Sequence, residues 1–326
     1  MSAALWSVQP LDGNSPGDAA RMRTLFAEVF GGEMTQALWD WKYGDGRGRA
    51  LTAHDRTGRL VGHYGGAARR VWMRGAACTA VQICDVMVAK EHRGVLTRSG
   101  PFALLTTAFL DAYIGFNKEY LLGFGFPSRR ACRIAEHLGL YAPVDSVVEL
   151  HWPAGAPRAA RLPWWQRLDP IDFDAERDMS ALDTLWQAQL AGSAQWIVPQ
   201  RDAAWWRFRL HAHPAHQYRC YLLRHRLTGR ALGAVALRPG PDAWEWMDWI
   251  APLDRVPDVV RAARHAAGSA ELRGWFSSSV AALVRTPDCS VHDIGVQVPT
   301  SIRGPGPAPD TLQGRWWLTS GDTDFR

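Results

Sequence analysis

The sequence predicts an α+β fold made twice over: two mixed β-sheet domains with flanking helices, the second copy degenerate. Three observations lead there. First, Thr57-Gly58-Arg59-Leu60-Val61-Gly62 returns as Thr228-Gly229-Arg230-Ala231-Leu232-Gly233, Trp39-Asp40-Trp41-Lys42-Tyr43 is echoed by Trp205-Trp206-Arg207-Phe208, and Asp85 is echoed by Asp248. These landmarks keep their order at offsets of 171, 166 and 163 residues, as two copies of one domain would. Second, the first copy reads as a strand meander followed by strand, loop, helix, strand and helix, a mixed-sheet pattern. Third, residues 153–163 (PAGAPRAARLP) have linker composition and divide the chain into a domain over 1–152 and a second over 164–326. A length of 326 residues, 47% hydrophobic and 21% charged, suits two ordinary cores.

In chain order, the first copy should open with a helix over Gly17–Phe30. Strands follow near 50–55, 59–67 and 69–75, with a stronger one over Ala80–Val88. Gly58 and Gly229 read as hairpin-turn glycines. A loop over Ala89–Gly100 leads to a helix over Pro101–Ile114, where proline suits the first helical position. A buried strand over Tyr120–Phe126 precedes a helix over Arg129–Leu138, with Ser128 as N-cap and Gly139 as stop.

Composition narrows the function classes. The net charge of +5, carried by arginine with only Lys42, Lys90 and Lys118 as lysines, favours an anionic partner without separating nucleic acid from a phosphorylated cofactor. No RNP-like strand, zinc finger or long basic run is present, so no nucleic-acid partner is expected. Five cysteines without a CxxC pair suggest buried thiols, neither disulfides nor zinc. His211, His213 and His216 flank Pro214 in a loop-like stretch without a carboxylate or cysteine beside them, and no metal is expected. Met1–Ala20 lacks a basic start and an apolar run, and no later stretch is long and apolar enough to span a bilayer; a cytoplasmic chain without a membrane partner is expected. The 17 tryptophans suit core filling better than a ligand pocket, although Trp244, Trp246 and Trp249 could line an acceptor surface.

The chemistry-bearing stretch runs from Cys84 to Pro101, a buried strand that enters a loop holding Arg93, Gly94, Arg98 and Gly100 and then a helix N-terminus. Free backbone N–H groups, the helix dipole and Arg93 or Arg98 make a phosphate cradle in principle. A βα loop with solvated arginines is the bland alternative.

The strand, the EHRG loop, the GFGFPSRRACRIAEHLGL segment and the closing WWLTSGDTDF resemble the GNAT superfamily of acyl-CoA-dependent N-acyltransferases, in a tandem bacterial branch; residues 80–141 carry most of the likeness. The resemblance implies that Met87 and Val88 face the pantetheine arm of acetyl-CoA or another acyl-CoA, and that Arg93, Gly94, Val95, Arg98, Ser99 and Gly100 hold its pyrophosphate. It puts Ser128 where the family has a cofactor-facing asparagine, Arg129 near the phosphates, and Ala135 where a tyrosine often protonates the leaving thiolate. Aligned on Arg93, the family's two small loop positions fall on Leu96 and Arg98, where a leucine crowds the approach of backbone amides to phosphate.

The reaction so implied is attack of a neutral amine on a thioester, which calls for a base, a polarising N–H from Met87 or Val88, and a proton for the sulfur. Asp85, the only carboxylate in its strand and read as facing with Val81, Ile83 and Met87, fits a catalytic base and a structural aspartate equally, since Asp248 repeats it beside a loop without glycine. Tyr141 is a distant candidate acid, with solvent as its rival. The acceptor is expected to be a primary amine of a small molecule, such as an amino sugar. The reading from another class is a non-catalytic binding or scaffold protein with a decayed cofactor loop.

Overall fold

The computed structural model describes residues 5–12, 15–93, 97–155 and 160–323. Two compact units emerge, one of residues 1–70, 78–144 and 297–312, the other of 71–77, 145–296 and 313–326.

In the first unit, β1 (Ser7–Pro10) and β2 (Gly48–His54) pair antiparallel with each other, and β2 pairs antiparallel with β3 (Leu60–Met73). Next come β4 (Ala76–Val88) and β5 (Leu122–Gly125), giving the order β1-β2-β3-β4-β5. The expected pair of strands at 59–67 and 69–75 is one uninterrupted β3, buried on both faces over residues 60–66 and partly exposed beyond them. Arg74 and Gly75, both at positive φ, make the tight turn into β4. Helix α1 (Pro16–Phe30) is capped by Ser15, and α2 (Gln36–Tyr43) by Thr35. Helices α3 (Pro101–Tyr113) and α4 (Arg129–His137) follow β4 and β5. Ser128 caps α4, and Gly139 ends it at φ +71 while its N–H bonds the Glu136 carbonyl.

The second unit repeats this plan. Its strands β7 (Gln166–Pro170), β9 (Arg219–His225), β10 (Ala231–Pro239), β11 (Trp244–Ile250) and β12 (Leu272–Ser277) neighbour one another in that order. Helices α5 (Glu176–Ala191), α6 (Ala203–Trp206), α7 (Val256–Ala267) and α8 (Ser278–Val284) interleave with them, and a π-helical turn over Arg207–His211 extends α6. The short β8 (Ile197–Pro199) pairs with Val71–Met73. Two strands, β6 (Tyr141–Trp152) and β13 (Ser290–Ser301), complete the seven-stranded sheet, with α9 (Pro309–Leu312) near the end of the chain.

The domain limits differ from expectation. After an excursion into the second unit over 71–77, the chain leaves the first unit at Val144/Asp145, inside the continuous strand β6, and the described part of 153–163 lies in the second unit. Residues 297–312 belong to the first unit, not to a second domain running unbroken over 164–326. A strand crossing the boundary, with Pro143 as its single proline and no glycine, lacks the run of Pro and Gly that marks a linker.

Each unit has its own core. Trp152, Trp186, Trp206, Trp246, Trp249, Trp316 and Trp317 are fully buried in the second unit, as core filling requires. This removes Trp246 and Trp249 from any acceptor surface: Trp246 packs on Trp152 and Phe276, and Trp249 on Trp317. Cys84, Cys132, Cys220 and Cys289 are buried free thiols, with Cys78 half-buried.

Candidate active site

The site grows from a kink in β4. Asp85 has φ +49, a left-handed backbone that strains any residue with a Cβ. An extended strand sends successive side chains to opposite faces, yet Cys84 and Asp85 both reach the Tyr43 hydroxyl, at 3.5 Å from Sγ and 2.6 Å from Oδ2. The kink therefore moves Asp85 onto the face of Cys84, not onto that of Val81 and Ile83, correcting the alternation read from sequence. The last turn of α2 supplies Lys42 as well, whose Nζ lies 2.8 Å from Asp85 Oδ1. Gly65 of β3 makes room, since a Cβ there would collide with the Tyr43 hydroxyl and the His63 ring.

This cluster is buried and electrostatically closed. Burial raises the Asp85 pKa, but the Lys42 ammonium and the hydrogen bonds from Lys42 and Tyr43 outweigh it and hold the carboxyl below its ordinary value. Burial, with the Asp85 charge beside it, drives the Tyr43 phenol well above its ordinary value. His63 Nδ1–H donates to the Asp85 carbonyl at 2.7 Å, and burial lowers its pKa, so the ring is neutral. Its Nε2 is then a buried acceptor with no partner among the described residues. Sequence reasoning missed His63, Lys42 and Tyr43; the Trp39–Tyr43 echo was the one signal for Lys42 and Tyr43, and none marked His63.

On the other side of β4 the sheet opens. β4 and β5 run parallel and pair from Ala80–Leu122 to Ile83–Gly125, after which β5 ends while β4 continues to Val88. The Ala89 N–H bonds the Val61 carbonyl of β3. Alternation then turns the Val88 N–H toward the open side and the Met87 N–H toward β3. Of the two expected donors, Val88 is the one placed to polarise a ligand; Met87 is buried.

Because β4 and β5 are parallel, α3 and α4 begin at the same edge of the sheet. No side chain caps α3: Gly100 is its N-cap and Pro101 its first residue, leaving N–H groups of the first turn available to an anion. Arg98 and Ser99 are exposed beside it, with Ser99 Oγ 3.0 Å from Thr97 Oγ1. Arg93 instead ties backbone together, its Nε donating to the Val88 carbonyl at 2.8 Å and Nη2 to the Val29 carbonyl at 3.4 Å. Gly94 and Val95 lie outside the described residues. Ser128 accepts the Ala131 N–H as the α4 cap. Arg129, Arg130, Arg133 and His137 surround an open depression of about 600 Å³ floored by Ile134 and Leu138.

Tyr141 is not brought to Asp85. Its hydroxyl bonds that of Tyr64, whose ring packs on Phe109 of α3 at 5.0 Å, on the face of β3 opposite His63. Burial pushes the Tyr141 phenol up, so it stays protonated. Ala135 is fully buried in α4.

The second unit closes the corresponding opening. β11 and β12 pair only at Trp244–Leu272 and Glu245–Arg273, and residues 316–323 fill the gap beyond. Ser277 N–H donates to the Leu318 carbonyl at 3.0 Å, and Trp275 N–H to Ser320 Oγ at 2.8 Å. Thr319 Oγ1 donates to Asp248 Oδ1 at 3.0 Å. The fully buried Arg201 bridges Asp248 and Asp322, so Asp248 here anchors the plug. Burial, with Asp322 nearby, raises the Asp248 pKa against the opposing Arg201 charge. Among the described residues no His/Cys/Asp/Glu group could hold a metal, and His211, His213 and His216 line an open pocket in this unit.

Residues 14–139 match the acetyltransferase (GNAT) domain family. That stretch forms a GNAT acetyltransferase domain. Structures similar to this chain include a protein from Enterococcus faecalis V583 described as a probable N-acyltransferase. That alignment has 14% identity and a TM-score of 0.68, and covers 94% of this chain and 74% of that one. The GCN5-related glucosamine N-acetyltransferase region of a fungal multi-domain β-N-acetylglucosaminidase aligns at 13% identity and TM-score 0.62, over 93% of this chain and 38% of that one. Saccharomyces cerevisiae N-myristoyltransferase, solved with bound myristoyl-CoA, aligns at 9% identity and TM-score 0.52, over 92% and 80%. At these identities the likeness is one of fold. No functionally curated protein matches the sequence significantly.

Proposed function

We propose that the protein is an acyl-CoA-dependent N-acyltransferase that moves an acyl group, acetyl first among candidates, to a primary amine of a small molecule such as an amino sugar. One observation carries the reading. β4 runs past the end of β5 with the Val88 N–H on the open side, while the equivalent opening in the second unit is filled by residues 316–323.

Acyl-CoA supplies the thioester whose carbonyl carbon the amine attacks and whose sulfur departs. The α3 N-terminus, Arg98 and the arginines of α4 gather positive charge at one sheet edge, where the diphosphate would sit. These arginines offset the missing loop glycines at Leu96 and Arg98. The Val88 N–H, fixed in a strand, donates to the oxygen that becomes negative as the amine bonds to carbon. Asp85 acts in this reading as the brace of the β4 kink: its carboxylate is engaged by Lys42 and Tyr43 and held at low pKa, a poor base. Amine and thiolate exchange protons with solvent, and Tyr141 has a packing role.

The test is calorimetry with acetyl-CoA and with free CoA, followed by thiol release over a panel of primary amines. Saturable binding that weakens about tenfold in Arg98→Ala, with thiol release on adding an amine, supports the reading. No binding of either ligand would leave a non-catalytic GNAT fold.

A further inference from the structure

The second unit carries a surface that the acyl-transfer reading does not use. Trp164 and Leu227 are 73% and 74% exposed, more than any other large hydrophobic residue described. They lie in different segments, one entering the edge strand β7 and the other at the tip of the β9–β10 hairpin. Arg226 joins those segments: its N–H donates to the Trp165 carbonyl at 2.7 Å, its Nε to the Trp164 carbonyl at 2.8 Å, and its Nη2 to the Gln166 carbonyl at 3.3 Å. The Trp165 and His225 rings pack 5.7 Å apart behind them.

The two segments that carry this pair are charged with one sign. Arg161, Arg167, Arg226 and Arg230 are exposed on the two segments, and residues 153–168 and 215–239 contain no Asp or Glu. Asp169 pairs with Arg167 at 3.0 Å. A protruding indole and leucine ringed by arginines suits a boundary that is apolar inside and anionic outside. Tryptophan settles at the headgroup level, leucine reaches the acyl chains, and arginine stems extend toward lipid phosphates. A nucleic acid would draw on the arginines but gain little from the leucine.

We propose that this edge of the second unit docks the protein on a membrane surface containing anionic lipid. The expectation of no membrane partner rested on the absence of an apolar span; peripheral contact requires none.

Co-sedimentation with sucrose-loaded vesicles tests it, using phosphatidylcholine alone and phosphatidylcholine mixed with phosphatidylglycerol. The full chain should pellet with the mixed vesicles at physiological salt and stay in solution with phosphatidylcholine alone. Trp164→Ser with Leu227→Ser should weaken binding about tenfold. Arg161→Glu and Arg230→Glu should each weaken it by about fivefold or more. All four side chains are exposed, so an unchanged urea midpoint verifies folding of the variants. The proposal is overturned if mixed vesicles fail to pellet the protein. It is equally overturned if the Trp164/Leu227 variant binds as well as wild type, which would mean adsorption to any polyanion, or if the protein pellets without vesicles. None of these outcomes bears on acyl transfer.

Discussion

The Lys42 ammonium lies 2.8 Å from both carboxylate oxygens of Asp85, with 5% of each side chain exposed. Two charges so deeply buried persist only as a pair, and removing one leaves the other uncompensated. Lys42→Met should therefore destabilise the first unit by about 3–5 kcal/mol. Asp85→Asn leaves the Lys42 ammonium without a counter-charge and sets an amide NH2 where one oxygen accepted, so it should cost a similar amount. Urea denaturation followed by circular dichroism would measure both, and a Lys42→Met midpoint equal to wild type would deny the pair its bracing role.

The same cluster sets a response to acid. His63 has a folded pKa below its ordinary value of about 6.5, so the unfolded chain binds the proton first and stability falls as pH drops below that value. Asp85 is also depressed, from an ordinary value near 3.8, so its contribution is present above about pH 4 and lost as pH falls through the folded value. Two stages of acid destabilisation should appear when the urea midpoint is followed from pH 7.5 to about 3. His63→Gln, which keeps a donor for the Asp85 carbonyl, should flatten the upper stage only. An upper stage of unchanged slope in that variant would assign it elsewhere, His54 and His216 being the other histidines with lowered values.

Much of the fold was legible because its signals are local. The TGR turns, Pro101, Ser128 and Gly139 fix φ or cap a helix by their own chemistry, and helices and strands lie where those residues place them. The repeat was legible because both copies need the same turn, helix and aspartate in the same order. The aspartate's environment was not. Lys42 and Asp85 stand 43 residues apart, and nothing near Asp85 announces a kink that reverses its face. The domain limit inside β6 was hidden for a related reason, since a strand shared by two units looks like any other. The departures at Leu96 and Arg98 were visible, but the arginines at the start of α4 matter only once β4 and β5 are seen to be parallel.

Residues 316–323 complete the core of the second unit as well as filling its opening. Trp317 is fully buried against Trp196 and Trp249, with ring centroids 5.1 and 5.0 Å away. Its truncation leaves a cavity the size of an indole, so Trp317→Ala should cost about 3–5 kcal/mol. Removing residues 313–326 should leave the second unit unable to fold cooperatively, because Arg201 would lose Asp322 and Arg209 its two carbonyl acceptors at Gly321 and Thr323. Calorimetric scanning would show one transition lost in the truncated chain. A truncated chain that melts like wild type would mean that the segment is an accessory to a core complete without it.

The role given to Val88 leads to the most selective test. Its N–H points away from β3, where the neighbouring Ala89 N–H is the one that bonds Val61. Proline at position 88 therefore removes a hydrogen with no part in the β3 ladder, and an extended backbone before it suits the preceding residue. Val88→Pro should retain the fold and bind acetyl-CoA with an affinity within severalfold of wild type, because the proposed phosphate contacts are those of α3 and α4. Turnover with an accepted amine should fall about 100-fold or more, the usual effect of losing one donor to a developing oxyanion. Calorimetry and steady-state thiol release on the same preparation separate the two effects. Unchanged kcat would move the polarising role away from β4, and lost binding with unchanged kcat would make Val88 a contact for the cofactor arm alone.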